Sequence, residues 1–186
     1  MARAIGHPFN LALALAYAAV GDQMRRDLPR LRNTVGELRE LCDRYHFAYY
    51  REWGLILDGW SAADGPGAGL AQQGISNLRA EGSFTRMPYW LSLLADLLAR
   101  HDRPDAARAT LDAALAAAQA RDDVWWLPEV MRMRAAYDQG EPAVARLRSA
   151  AELASAHGSV ALLRRCERDL LSRGVRPSVP GVLPTA

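Results

Sequence analysis

The chain has 186 residues, of which 50% are hydrophobic and 24% charged, so it can bury a core and does not have the composition of a disordered protein. All 23 basic residues are arginine, and 21 acidic residues leave a formal net charge of +2, which does not favour nucleic acid as a partner of the whole chain. No segment holds the roughly 18 apolar residues that a membrane span requires, so no membrane partner is expected.

The N-terminal segment MARAIGHPFNLALALAYAAVGDQ allows two interpretations. Arg3, the apolar run 11–20 and an AYA triplet are typical of a cleaved secretory signal. Pro8 directly after His7 instead favours the first turn of a helix, and the run is rich in alanine, which makes it a weak secretory core. We expect a structural helix and a cytoplasmic location ahead of a cleaved signal.

Apolar residues recur with a helical period along the whole chain, and good helix formers dominate between short turns. No window alternates apolar and polar residues as a half-buried strand does. The sequence therefore predicts an all-α fold. The segments predicted to be helical are 8–20, 28–45, 48–63, 69–81, 87–100, 104–120, 126–139, 142–157 and 160–173.

The predicted helices form four pairs with a period near 40 residues, as the 40-residue spacing of Pro88 and Pro128 illustrates. One pair cannot bury its apolar faces alone, so four pairs indicate a stack of helical repeats. Small residues are expected where the two helices of a pair cross closely. In the first helices these are Ala19, Gly59 and Ala95, and in the second helices Ala71, Ala107 and Ala145.

This small–large pattern resembles that of tetratricopeptide repeats, lengthened to about 40 residues by longer turns. The resemblance implies a right-handed α-solenoid of about four helix pairs. The segment SVALLRRCERDLLSRG fits a C-terminal capping helix, whose expected apolar stripe is Val160, Leu163, Leu170 and Leu171. The repeat domain is expected to span residues 1–174, followed by a Pro-rich disordered tail over 175–186.

A narrower resemblance rests on GHPFNLALALAYAA, on ELCDRYHFAYYREWGLILDGWSAADG and on MPYWLSLLADLLAR with VWWLPEVMRMRA. Over about residues 5–160 the chain resembles the C-terminal tetratricopeptide region of large bacterial regulators. Those regulators combine an adenylate cyclase-like or transcription-factor module with a signalling ATPase. The resemblance implies a non-enzymatic module that binds a protein or senses a ligand, with an ATPase or cyclase module among its expected partners. Whether the chain is free-standing or part of a larger regulator stays open.

The Gly-rich turn DGPGAG, residues 64–69, raises the question of phosphate binding. A phosphate-binding P-loop needs a lysine that reaches the phosphates, and the sequence contains none. A dinucleotide fingerprint needs a preceding strand, whereas LILDGWSAAD is predicted to be helical. The glycines are therefore interpreted as a turn that ends one helix and starts the next.

Titratable side chains give no catalytic, cofactor or metal constellation at the sequence level. Cys42 and Cys166 are expected to be small buried side chains, since two distant thiols define neither a zinc site nor a disulfide framework. The four histidines are far apart and close to predicted helix ends. Asp122 and Asp123 fall in a turn, where a solvated loop or helix cap is usual. No catalytic residue, cofactor or metal is therefore expected.

Aromatic residues near the starts of the first helices are the remaining candidates for a site. Either they pack between repeats, which is the favoured interpretation, or they line the concave face of the solenoid and contact a partner. The residues expected on that face are Trp53, Trp60, Tyr89, Asp96, Arg100 and Arg134. Two alternatives stay open: a homo-oligomer formed through exposed repeat ends, and nucleic-acid binding through the arginine clusters MRRDLPRLR and RRCERD.

Overall fold

A computed structural model describes residues 7–62 and 66–176. Within these ranges the chain is all-helical, as predicted, with nine helices and no strand: α1 (Pro8–Arg25), α2 (Leu28–Tyr45), α3 (Ala48–Ser61), α4 (Gly67–Ala80), α5 (Met87–Arg100), α6 (Pro104–Arg121), α7 (Leu127–Ala135), α8 (Gly140–Ala156) and α9 (Val160–Ser172). The predicted ends agree within two residues, except that α1 continues to Arg25 and α7 stops at Ala135. None of these helices has the length and apolarity needed to cross a membrane.

Proline and left-handed residues set many of the helix ends. Pro8, Pro29, Pro104 and Pro128 occupy the first turns of α1, α2, α6 and α7, where a missing N–H costs nothing and the fixed φ suits the helix. Helices α1, α2 and α6 end in left-handed residues, and the backbone N–H of each such residue reaches back to a carbonyl of the last turn. These residues are Arg26, His46 and Asp122.

The described chain divides into two compact units. The first unit contains residues 7–62, 66–84 and 96–102, which are α1 to α4 and the end of α5. Each of α1, α2 and α3 packs on the helix that follows it, and α1 also contacts α3. The buried apolar side chains of this unit include Ala12, Leu15, Ala16, Leu31, Leu38, Ile56, Leu57, Ile75 and Leu78.

Glycines bring α3 and α4 unusually close together. A Cβ on Gly59 would overlap the carbonyl oxygen of Gly67, and a Cβ on Gly67 would overlap that of Gly59. Further along the same contact, a Cβ on Gly74 would lie 2.7 Å from Cγ1 of Ile56. Gly67 is the first residue of α4, so it starts a helix, as expected, whereas Gly65 of the same predicted turn lies outside the described residues. Glycine is required at position 67 because the backbones of α3 and α4 are in contact there.

The second unit contains residues 85–95 and 103–176, which are the start of α5 and α6 to α9. Helices α6, α7 and α8 each pack on the next helix, and α9 contacts both α7 and α8. Val175 packs against a cluster of Ala135, Leu147 and Leu170, one residue beyond the predicted end of the helical domain. The rest of the predicted tail, from residue 177, lies outside the described residues.

Two details of the predicted packing are wrong. In α9 the buried side chains are Leu162, Leu163, Cys166 and Leu170, whereas Val160 and Leu171 are 40% and 59% exposed. The predicted stripe is rotated because it omits Cys166, which lies at the centre of the buried face.

The other error is Ala145, which is exposed, while Ala143 is fully buried. Buried alanines of α4, α6 and α8 recur every 36 residues, as Ala71, Ala107 and Ala143 show. Helices α3, α5 and α7 begin 39 or 40 residues apart, so a spacing taken from the starts of these helices is too long for the buried alanines of α4, α6 and α8.

Candidate partner-binding surface

The largest group of aromatic rings in the first unit joins α1, the end of α2 and α3. We call it the N-terminal aromatic cluster; its members are Phe9, Tyr17, Tyr45, Phe47, Tyr49, Tyr50 and Trp53. Neighbouring ring centroids lie 5.2 to 5.8 Å apart, which is the separation of favourable aromatic pairs. The seven rings are thus in continuous contact across three helices.

Part of this cluster is at the surface. Phe9, Tyr17 and Tyr45 are 44%, 47% and 44% exposed, whereas Tyr50 and Trp53 are buried beneath them. The exposed rings are held by packing against buried ones: Tyr17 contacts Trp53, and Phe9 contacts Tyr50. Pre-ordered, half-exposed aromatic rings lose little conformational entropy when a partner covers them, which makes this cluster the strongest candidate for a partner-binding surface.

Sequence reasoning named only Trp53 from this cluster, and Trp53 is 1% exposed. Its ring packs against Tyr17, Tyr49 and Tyr50, as the favoured interpretation of packing between helices requires. The surface residues Phe9 and Tyr17 went unnoticed. The spacing of Phe9, Leu13 and Tyr17 at i, i+4 and i+8 on α1 was the available signal.

Three other predicted site residues, Trp60, Asp96 and Arg100, do lie together in the first unit. The indole Nε1 of Trp60 donates to Oδ2 of Asp96 at 2.8 Å, and Arg100 Nη2 lies 3.1 Å from the same oxygen. The Arg100 guanidinium also covers the Trp60 ring at 5.1 Å and donates to the Trp60 carbonyl at 3.2 Å. Trp60 itself is buried, so a partner would meet the Arg100 side chain, which is 42% exposed.

Tyr89 belongs to a second aromatic group, in the second unit, with Trp90, Trp125 and Trp126. Tyr89 is fully buried, and burial raises the pKa of its phenol. Trp126 Nε1 donates to Oγ of Ser92 at 3.0 Å. Only Trp125 in this group is substantially exposed, at 37%, with the Arg86 guanidinium 5.8 Å from its ring. Tyr89 was expected on an open concave face, but the structure places it in the interior of the second unit.

Arg134 is likewise buried, at 6% exposure, and lies in an ion-pair network of the second unit. It donates from Nε to Asp112 at 2.6 Å and from Nη1 to Asp138 at 2.7 Å. Arg146 donates to the other oxygen of Asp138. Burial alone would raise the pKa of Asp138, but the hydrogen bonds and charges of the two arginines outweigh it and hold that pKa below its ordinary value. The network joins α6, α7 and α8.

A second buried network connects α7 to α9 through Glu129, which is 4% exposed. Arg132 donates two hydrogen bonds to the Glu129 carboxylate, at 2.8 and 3.0 Å, and Arg165 donates a third at 2.9 Å. Arg132 also donates to Asp169 of α9 at 2.6 Å. Burial would raise the pKa of Glu129, but the two arginines more than compensate and lower it. Sequence reasoning missed this network because its α7 and α9 members are 36 or more residues apart along the chain.

The thiols and histidines lie where the sequence predicted. Cys42 and Cys166 are buried, and burial raises their pKa values to about 11 and about 12. The histidines sit at helix ends: His7 precedes α1, and His46 and His157 follow α2 and α8. Among residues 7–62 and 66–176, no three His, Cys, Asp or Glu side chains come together in an arrangement that could hold a metal ion.

Comparison with curated proteins finds a related sequence whose function is not described. The chain is 28% identical over 180 residues to an uncharacterized protein of Rhizobium meliloti (strain 1021), an alignment that covers 92% of this chain and 18% of that protein. The chain thus spans less than a fifth of the length of its relative. No protein-family model matches the chain, and no solved structure is detectably similar to it.

Proposed function

We propose that this chain is a tetratricopeptide-like α-solenoid, right-handed and built of four helix pairs and a capping helix, that works by binding a protein segment. The packing of first helices on first helices supports the repeat architecture. Helix α1 contacts α3 in the first unit, and α7 contacts α9 in the second. The hydrogen bond from Trp60 to Asp96 joins α3 to α5, and that from Trp126 to Ser92 joins the residue that precedes α7 to α5.

The observation that carries the binding function is the N-terminal aromatic cluster, three of whose rings are more than 40% exposed. Binding energy in protein interfaces is concentrated in a few aromatic and arginine residues that a partner can cover. Phe9, Tyr17 and Tyr45 fit this description, because their positions are already fixed by packing against neighbouring rings. The exposed part of Arg100, held on Trp60, is the second candidate contact in the same unit.

The setting proposed for this binding is a bacterial signalling or regulatory protein that contains an ATPase or cyclase module. That assignment rests on the sequence resemblance described above. It is compatible with the Rhizobium meliloti relative, in which the matching region is 18% of a much longer chain. A repeat region within such a protein would bind a segment of a signalling partner and leave the chemistry to other modules.

The arginine clusters do not favour nucleic acid as the partner. In MRRDLPRLR, Arg25 pairs with the buried Asp22, and Arg32 donates to the carbonyl of Ser61. In RRCERD, Arg165 pairs with Glu129. These three arginines make contacts within the chain, which reduces the charge that they offer to phosphates.

The test is affinity capture with the purified chain and two variants. Phe9→Ser with Tyr45→Ser removes two exposed rings, and Leu171→Ser is the control, because Leu171 is a comparably exposed apolar residue on α9. We expect the wild type and the control to retain a common partner that the double variant loses, while circular dichroism shows all three folded. Retention of the same partner by the double variant would contradict the assignment of this surface.

A further inference from the structure

The outer face of α1 differs from the outer faces of α2 and α6 because it carries no charge. From Pro8 to Gly21 the helix contains no ionisable side chain other than the phenol of Tyr17, and the first charged residue, Asp22, is buried. The exposed residues of this stretch are Phe9, Asn10, Leu13, Ala14, Tyr17 and Ala18. By contrast, the exposed faces of α2 and α6 carry arginines and carboxylates, such as Arg30, Glu40, Arg108 and Asp112.

The same face has a shape that can pair with a copy of itself. Phe9, Leu13 and Tyr17 are spaced four residues apart and form a ridge of large side chains along the helix. The neighbouring row, Asn10, Ala14 and Ala18, is a groove of smaller side chains. When two such helices cross at about −50°, the ridge of each fits the groove of the other. Both rows are needed for this fit, and α1 exposes both.

We infer that a second copy of this chain covers the α1 face, in a two-fold symmetric dimer. This inference rests on the proposed function as a binding module and names the partner of part of its aromatic surface. In a two-fold interface the same face of each copy meets the other, so a face that carried charges of one sign would repel itself, whereas the uncharged α1 face does not. The ridge and groove provide the self-complementary shape that such an axis requires.

The exposed area predicts that this dimer is weak. Six partly exposed residues would remove about 400 Å² per copy from solvent, or about 800 Å² in total, which is below the roughly 1,200 Å² at which standard stable interfaces begin. The dimer should therefore form reversibly at concentrations of about 10 to 500 µM. A larger, salt-sensitive assembly is not expected, because no charged residue lies on the face.

Sedimentation equilibrium over that concentration range tests the inference. Ala14→Arg and Ala18→Arg fill the groove with a long charged side chain at exposed helix positions, where arginine is well tolerated. Each should raise the dimer dissociation constant at least about 10-fold. Ala109→Arg, an exposed alanine of α6, is the matched control and should leave the constant unchanged. A wild-type chain that stays monomeric throughout, or a dimer that Ala14→Arg does not weaken, would overturn the proposal.

If this inference were wrong and the proposed function were right, the Ala14→Arg variant would still capture a different protein through Phe9 and Tyr45.

Discussion

Gly59 of α3 and Gly67 of α4 approach so closely that a Cβ on either residue would overlap the carbonyl oxygen of the other. The obstruction is backbone on both sides, so a rotamer change cannot relieve it. We expect Gly67→Ala to lower the free energy of unfolding by about 1–3 kcal/mol, the usual cost of overpacking a tight contact. Urea denaturation followed by circular dichroism measures this change.

Gly69→Ala is the matched control for that substitution. Gly69 lies two residues further along α4 and is exposed, and a methyl group added to it would meet no atom within 4 Å. Alanine is favoured over glycine inside a helix, so Gly69→Ala should raise the unfolding free energy by up to about 1 kcal/mol. Equal effects of the two substitutions would show that the α3–α4 contact is looser than described.

The hydrogen bond from Trp60 to Asp96 joins α3 to the end of α5 in the first unit. Asp96→Ala would leave a buried indole N–H without its acceptor, and we expect a loss of about 1–3 kcal/mol in unfolding free energy. Asp96→Asn retains an acceptor oxygen and should cost clearly less. Similar losses in both variants would mean that the charge pair with Arg100, rather than the indole hydrogen bond, is what stabilises this contact.

Glu129 should make the stability of the folded chain depend on pH. The pKa of Glu129 is lowered in the folded chain. Its contribution to the free energy of unfolding is therefore fully present above the unfolded-state pKa of about 4.3 and is lost as the pH falls through the lower folded-state pKa. Glu129→Gln should therefore cost about 3 kcal/mol at pH 7 and progressively less below pH 4. Urea unfolding at several pH values measures the difference. Glu40→Gln, at an exposed position of α2, is the control, and a pH-independent cost at residue 129 would refute this account.

The two thiols should be unreactive in the folded chain. Burial raises the pKa of Cys42 to about 11 and that of Cys166 to about 12, so almost no thiolate is present at pH 8, and the sulfur atoms are covered. With Ellman's reagent, we expect two thiols to react at once in urea and at a rate limited by unfolding in buffer. Rapid reaction of either thiol in the native protein would contradict its burial.

Local signals in the amino-acid sequence were enough to predict the helices. Apolar periodicity, first-turn prolines such as Pro104 and the absence of strand-like alternation predicted most helix ends within two residues. These features depend on neighbours within one or two helical turns, so no knowledge of distant contacts was needed.

Packing between helices, by contrast, sets which aromatic and charged residues reach the surface. Trp53 and Tyr89 were expected on an open face, but rings from other helices and turns cover them, whereas Tyr17 of α1 stays exposed. Arg134 was assigned to the same face, but its partner Asp112 is 22 residues away on α6. Exposure depends on the rotation of each helix against its neighbours, which is fixed by side chains far apart in sequence and by close contacts such as that of Gly59 with Gly67.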